Sequence, residues 1–135
     1  MYCASPASPA PTITGVAKVD EVLTASVPSW TPTVDSSGYQ WKRNGVAIDG
    51  ATSLTYRVAA ADLAALLTFT VTGVKAGFVS AVNTSATTSA VVSAVFGTQP
   101  VPTITGITSV NETLTARTGT WLPTPSGFVY QWRRN

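Results

Sequence analysis

Residues 11–44 read PTITGVAKVDEVLTASVPSWTPTVDSSGYQWKRN, and residues 102–135 read PTITGITSVNETLTARTGTWLPTPSGFVYQWRRN. The two stretches align without a gap at an offset of 91, and 18 of the 34 positions are identical. The shared set includes Pro11/Pro102, Gly15/Gly106, Leu23/Leu114, Trp30/Trp121, Tyr39/Tyr130 and Trp41/Trp132. A fixed period marks tandem units. A period near 90 is too long for a solenoid turn and has the size of one β-sandwich. The 135 residues therefore divide into a Pro/Ala/Ser linker at 1–10, a complete unit at 11–94, a second linker at 95–101, and a truncated copy of the unit's opening third at 102–135. The second copy stops inside an expected strand, which suggests a fragment of a longer array or the product of a broken gene.

Working outward from Trp41, Tyr39-Gln40-Trp41-Lys42-Arg43 reads as a strand with Trp41 inward and Tyr39 and Arg43 on the same parity. Asn44-Gly45 is the strongest short hairpin signal there is, and it delivers Val46-Ala47-Ile48. Upstream, Thr12-Ile13-Thr14 is a short strand closed by Gly15, and Glu21 to Val27 alternates with Leu23, Ala25 and Val27 on one face. Asp35-Ser36-Ser37-Gly38 reads as a turn. Downstream, Leu54 to Val58 places Leu54, Tyr56 and Val58 inward. Ala59 to Leu67 is the one helix-like stretch, too short to stand alone, and Asp62 is suited to cap a single turn there. Leu67 to Thr72 alternates strictly, with Leu67, Phe69 and Val71 buried. One or two strands fit between Phe78 and Val95. The expected core is thus Leu23, Ala25, Trp41, Leu54, Tyr56, Leu67, Phe69 and Val71. About seven short strands with turns every 8–12 residues predict an all-β, antiparallel sandwich.

Composition narrows the chemistry. There are 14 charged residues, no His and one Cys, against 13 Ser and 22 Thr. The commonest general base and metal ligand is missing, and one Cys closes no intramolecular disulfide. Six scattered acids without D-x-D spacing make a poor calcium loop. No Ser or Thr has a His or Lys base in a recognisable nucleophile motif. The expectation is a chain that is not an enzyme and takes no cofactor or metal. A net charge of +2 with only two basic pairs, Lys42-Arg43 and Arg133-Arg134, argues against a nucleic-acid partner. No run is long and apolar enough for membrane insertion. The opening residues lack the basic and apolar regions of a signal peptide. Cys3, inside that opening linker, is either an incidental thiol or a site of intermolecular pairing.

The order PTITG, AKV, LTAS, W, P, YQWKRNG, AI, GAT, TY, V, AADL, LTFTVT, K, GF resembles a bacterial, actinobacterial-type immunoglobulin-like repeat of secreted and cell-surface proteins. The likeness spans residues 11–92 and again 102–135, and YQWKRNGVAIDGATSLTY is its specific part. It implies an Ig-like sandwich held without a disulfide, located outside the cell. It implies a spacer or adhesion module whose partners are neighbouring Ig-like repeats. A second possibility is an accessory module of a secreted hydrolase that binds a surface glycan or a protein through a loop-borne Trp30, with Trp121 its counterpart. Trp30 is otherwise expected to cap one end of the sandwich. The truncated copy would leave Leu114, Tyr130 and Trp132 uncovered, so strand exchange or self-association through 102–135 is expected as an alternative to disorder.

Overall fold

The computed structural model describes residues 6–135. Cys3 and the first half of the expected linker lie outside the described residues. The chain is an all-β structure that splits at Ala94/Val95 into two units. No helix among the described residues is long and apolar enough to cross a membrane.

The first unit is an antiparallel β-sandwich of seven strands. β1 (Thr12–Thr14), β2 (Val22–Ser26) and β5 (Thr55–Arg57) form one sheet in the order β1-β2-β5. β3 (Ser36–Arg43), β4 (Val46–Ala47), β6 (Leu67–Val74) and β7 (Ala81–Thr84) form the other, in the order β4-β3-β6-β7. The central pairing is β3 with β6, an unbroken register from Ser36↔Val74 to Arg43↔Leu67. That register puts Trp41 opposite Phe69 and Tyr39 opposite Val71. Alternation along a strand sends every second side chain to one face, and here Trp41, Leu67, Phe69 and Val71 are wholly buried between the sheets with Leu23. Ala25 is buried beside them. Tyr56 is half-buried and stacks on Trp41 with ring centroids 5.7 Å apart.

The stretch 35–38, expected as a turn, is mostly strand. β3 begins at Ser36, and Gly38 pairs with Thr72. Eight rungs against β6 outweigh the turn preference of Ser and Gly, because strand propensity is largely set by the neighbours a strand finds. Leu54, expected in the core, is 41% exposed. It precedes β5, an edge strand with no outer neighbour, and sits at the open rim while Val58 on the same parity is buried. The helix-like stretch yields one 3₁₀ turn at Ala60–Asp62.

Between Phe78 and Val95 only β7 is a regular strand. Beyond it the chain stays bonded to β6 through hydroxyls. Ser85 N–H donates to Phe69 O at 2.8 Å and Ser85 Oγ accepts from Phe69 N–H at 2.9 Å. Thr88 repeats the exchange with Leu67, its N–H donating to Leu67 O and its Oγ1 accepting from Leu67 N–H. Val92 then bridges Lys18 in parallel, bonding Ala17 O and Val19 N–H.

The second unit, Val95–Asn135, reproduces the first locally. β8 (Thr103–Thr105) pairs with β9 (Thr115–Arg117) as Thr103↔Arg117, Ile104↔Ala116 and Thr105↔Thr115, which is the β1·β2 register moved by 91 residues. Gly106 has φ +124° where Gly15 has +115°. In both, a Cβ would stand within 3 Å of a carbonyl oxygen, Val22 O or Thr113 O, so only glycine fits the close approach. Asp20 and Asn111 both have φ 70°. The Thr31–Pro32 and Leu122–Pro123 bonds are both cis.

The equivalence begins earlier than the sequence alignment. Ala7 bridges Thr31 with bonds of 3.0 and 2.8 Å, and Thr98 bridges Leu122. Both expected linkers thus contribute a bonded segment to the unit that follows: residues 7–8 to the first, with Ser8 Oγ donating to Pro28 O and Asn83 Nδ2 donating to Ser8 O, and residues 97–98 to the second.

Trp41→Ala is expected to lower the stability of the first unit by about 3–5 kcal/mol, the cost of emptying a fully packed aromatic site. Leu54→Ala at the rim should stay within about 0.5 kcal/mol of the parent. Urea titration followed by tryptophan fluorescence measures both, and equal losses at the two positions would contradict the placement of Leu54.

Candidate functional site

The most chemically organised cluster in the first unit is Arg43, Tyr56 and Asp62. Asp62 is wholly buried in the turn after β5. A buried carboxylate is stable only if its oxygens are satisfied, and Asp62 accepts three donors. Arg43 Nε–H donates to Oδ1, Tyr56 Oη–H donates to Oδ2 at 2.6 Å, and Ala59 N–H donates to Oδ2 at 2.8 Å. The Asp62 hydrogen bond raises the Arg43 guanidinium above its ordinary value against the opposing effect of burial. Burial first, then the bond to the Asp62 carboxylate, pushes the Tyr56 phenol up to about 12. Because Arg43 lies on β3 and Tyr56 on β5, this carboxylate ties the two sheets together. The cluster offers no free base or nucleophile: every Asp62 oxygen is engaged and Tyr56 stays protonated at neutral pH. Sequence reading placed Asp62 as a cap and missed its larger role. The signal was present, because Arg43 on the inward parity of Trp41 needs a buried acid.

Trp30 is buried rather than presented on an open loop. It is 7% exposed and belongs to the core. A Cβ on Gly73 of β6 would approach its ring to 3.0 Å, so the missing side chain at Gly73 is what lets the indole lie against the strand. Its Nε1–H finds no partner among the described residues. Trp121 is half-buried in its own unit. Its ring meets Phe96 edge-on at 5.2 Å and Phe128 at 6.0 Å, and its Nε1–H donates to Thr118 O.

Exposed aliphatic side chains occur on both units, but among the described residues the exposed aromatic ones, Phe96, Phe128, Tyr130 and Trp132, lie on the second. Ile104, Ala116, Tyr130 and Trp132 line one groove of about 290 Å³. Tyr130 is 65% exposed and Trp132 51%, although their counterparts Tyr39 and Trp41 are half-buried and fully buried. The first unit has a groove of similar size between β1 and the 86–89 segment, lined by Pro, Thr, Ser and small apolar residues with no titratable side chain. Among the described residues no three of His, Cys, Asp and Glu gather where they could hold a metal. Comparison of the chain with protein-family models, with curated proteins and with solved structures finds no match.

Removing the buried acid by Asp62→Ala strands Arg43 and the Tyr56 hydroxyl, and is expected to cost about 3 kcal/mol. The Tyr56 shift also has a defined sign. Its folded value lies above the ordinary 10.0, so the folded state holds the proton that the unfolded state has already lost. The stability this contributes is complete below pH 10 and declines as pH rises toward about 12. Tyr56→Phe should remove that part of the alkaline decline in denaturation midpoints.

Proposed function

We propose that the chain is a non-catalytic module of a repetitive secreted or cell-surface bacterial protein, built from immunoglobulin-like sandwiches that act as spacers or adhesion stalks. The observation that carries this reading is the transposition of one structural unit by 91 residues, in strand register, glycine dihedrals and leading bridge alike. Repetition of a scaffold adds length without adding chemistry. The polar interior supports the same role, since its one buried acid is spent on joining the sheets. A core of Trp41, Phe69, Leu23, Leu67 and Val71 holds the sandwich without a disulfide. A hydroxyl-rich surface with few charges suits a neutral rod between other domains.

The alternative role, an accessory module binding a surface glycan or protein, has lost its principal residue, because Trp30 is inside the core. Of the two tryptophans expected as possible contacts, Trp121 is the one with partial exposure.

Single-molecule stretching tests the spacer reading. The first unit should open in one cooperative event that releases roughly 250–300 Å of chain, from its residue count and the extended length per residue. Gradual yielding at low force contradicts a load-bearing role. In parallel, a glycan array should show no binding. A specific glycan signal abolished by Trp121→Ala, in a variant whose first unit unfolds as the parent does, would overturn the spacer reading in favour of the binding module.

A further inference from the structure

The last residues of the first unit hold it shut from two sides. Among the described residues every pairing is antiparallel except one, the parallel bridge of Lys18 with Val92. Val92 N–H donates to Ala17 O and Val19 N–H donates to Val92 O, both at 3.0 Å. One residue earlier, Val91 N–H donates to Ala65 O at 2.9 Å and Ala64 N–H donates to Val91 O at 2.8 Å. Two consecutive residues thus carry four backbone bonds, to segments that lie far apart in the chain. Val91, Ala17 and Ala65 are buried around them, so these backbone groups depend on one another rather than on water. We propose that Val91–Val92 is a shear latch that sets the force at which the first unit opens. The proposal rests on the spacer reading, under which tension enters at one end of the unit and leaves at the other.

The direction of the bridge is what makes it a latch. Tension arrives from the amino side of Lys18 and departs from the carboxyl side of Val92. In a parallel pair those two directions are opposite along the strand axis, so the segments are drawn past each other. Bonds loaded in this way share the tension and fail together, whereas bonds peeled from one end fail singly. The three rungs of β1 on β2 secure only the entering chain, and their release leaves the latch closed. Behind the latch, Thr88 and Ser85 hold β6 at separate points that a departing chain reaches in turn. The outer wall of the latch is itself fixed. Ala65 N–H donates to Asp62 O at 2.8 Å, so that wall belongs to the turn whose buried acid joins the two sheets.

The longest register in the unit is less well placed to bear the load. The eight rungs of β3 on β6 join interior strands, neither of which carries an end of the unit. They come under tension only after the closing segment has parted. The same holds for the bond of Arg43 to Asp62, which ties sheet to sheet without being attached to either end.

Stretching the whole chain by its two ends tests the proposal, read on the event that releases roughly 250–300 Å from the first unit. Val92→Pro removes the N–H that bonds Ala17 O. It should lower the opening force to about half of the parent's or less, since forced opening follows the barrier to unfolding. Val92→Thr keeps that N–H at a position whose side chain is exposed, and should open as the parent does. A matched pair of variants decides the matter if the proline variant does not fold. Val91→Ala and Val71→Ala make the same truncation at buried positions, one in the latch and one in β6. Both should lower the urea midpoint. Only Val91→Ala should lower the opening force, by about a third or more, because the contacts of Val71 are still intact when the latch gives way. An unchanged force in Val92→Pro overturns the latch. So do equal losses of force in the two alanine variants, or a loss in Val92→Thr as large as that in Val92→Pro. The spacer reading survives each of these results, because the unit still opens in one event. A parent that yields gradually at low force overturns the spacer reading and the latch with it.

Discussion

The first unit depends on the contact of Trp41 with what lies on either side of it. Trp41 projects from β3, meets Phe69 of the same sheet edge-on at 5.1 Å, and stacks on Tyr56 of the opposite sheet. Its indole N–H donates to Ser53 O at 2.8 Å, so the one polar atom of a buried ring is satisfied. Tyr56 in turn gives its hydroxyl to Asp62, which also takes Arg43 from β3. The apolar stack and the polar lock are therefore one joint, running from sheet to sheet through Trp41, Tyr56, Asp62 and Arg43. Gln40 secures the same strand from its edge, with Nε2–H groups donating to Ile48 O and Trp41 O at 2.8 Å. The chain that follows the short β4 is thereby held against β3.

The second unit shows what survives when that joint has no partner. Register, the positive-φ glycine pair Gly15 and Gly106 and the left-handed turn residues Asp20 and Asn111 agree between the units, because short stretches of chain determine them. Burial is not the same. Leu23 and Ala25 are sealed by the opposing sheet, while Leu114 is half-exposed and Ala116 open. Trp41 has Phe69 above it, and Trp132 has nothing equivalent among the described residues. Identical side chains thus end in opposite environments. The difference is the long-range pairing supplied by β6, which is slow to form and costly in chain entropy but brings in the wholly buried Leu67, Phe69 and Val71.

This contrast also explains what could be read in advance. The alternation of Leu67, Phe69 and Val71, and of Leu23 and Ala25, was legible because each strand is half-buried and its period of two is written in single residues. The Trp41 parity followed from the same rule. Leu54 has the right parity too, but parity does not say where a sheet ends. The start of β3 at Ser36 was hidden under four turn-forming residues, since their fate depends on β6, some thirty positions away. Ala7 and Thr98 were unreadable for a different reason: a bridge of one residue pair has no period. The Asp62 site was half-visible, for an arginine on an inward face demands an acid, yet three acids stood in turns and no local pattern chose among them.

The abundance of serine and threonine has a mechanical meaning beyond the surface. A chain leaving a sheet abandons the ladder, and each buried N–H left behind costs free energy unless another acceptor replaces the carbonyl. After β7 the chain does leave β6, and Ser85 Oγ and Thr88 Oγ1 take the bonds of Phe69 N–H and Leu67 N–H. The hydroxyl is attached to a short side chain, so it reaches the strand while the backbone bends away. That freedom lets residues 89–92 cross over, bond Ala64 and Ala65 through Val91, and then pair with Ala17 and Val19 through Val92. The closing segment therefore joins the four-stranded sheet to the chain leading into β2. A sequence with fewer hydroxyls would need either a longer regular strand, which ends on the wrong sheet, or two buried donors without acceptors.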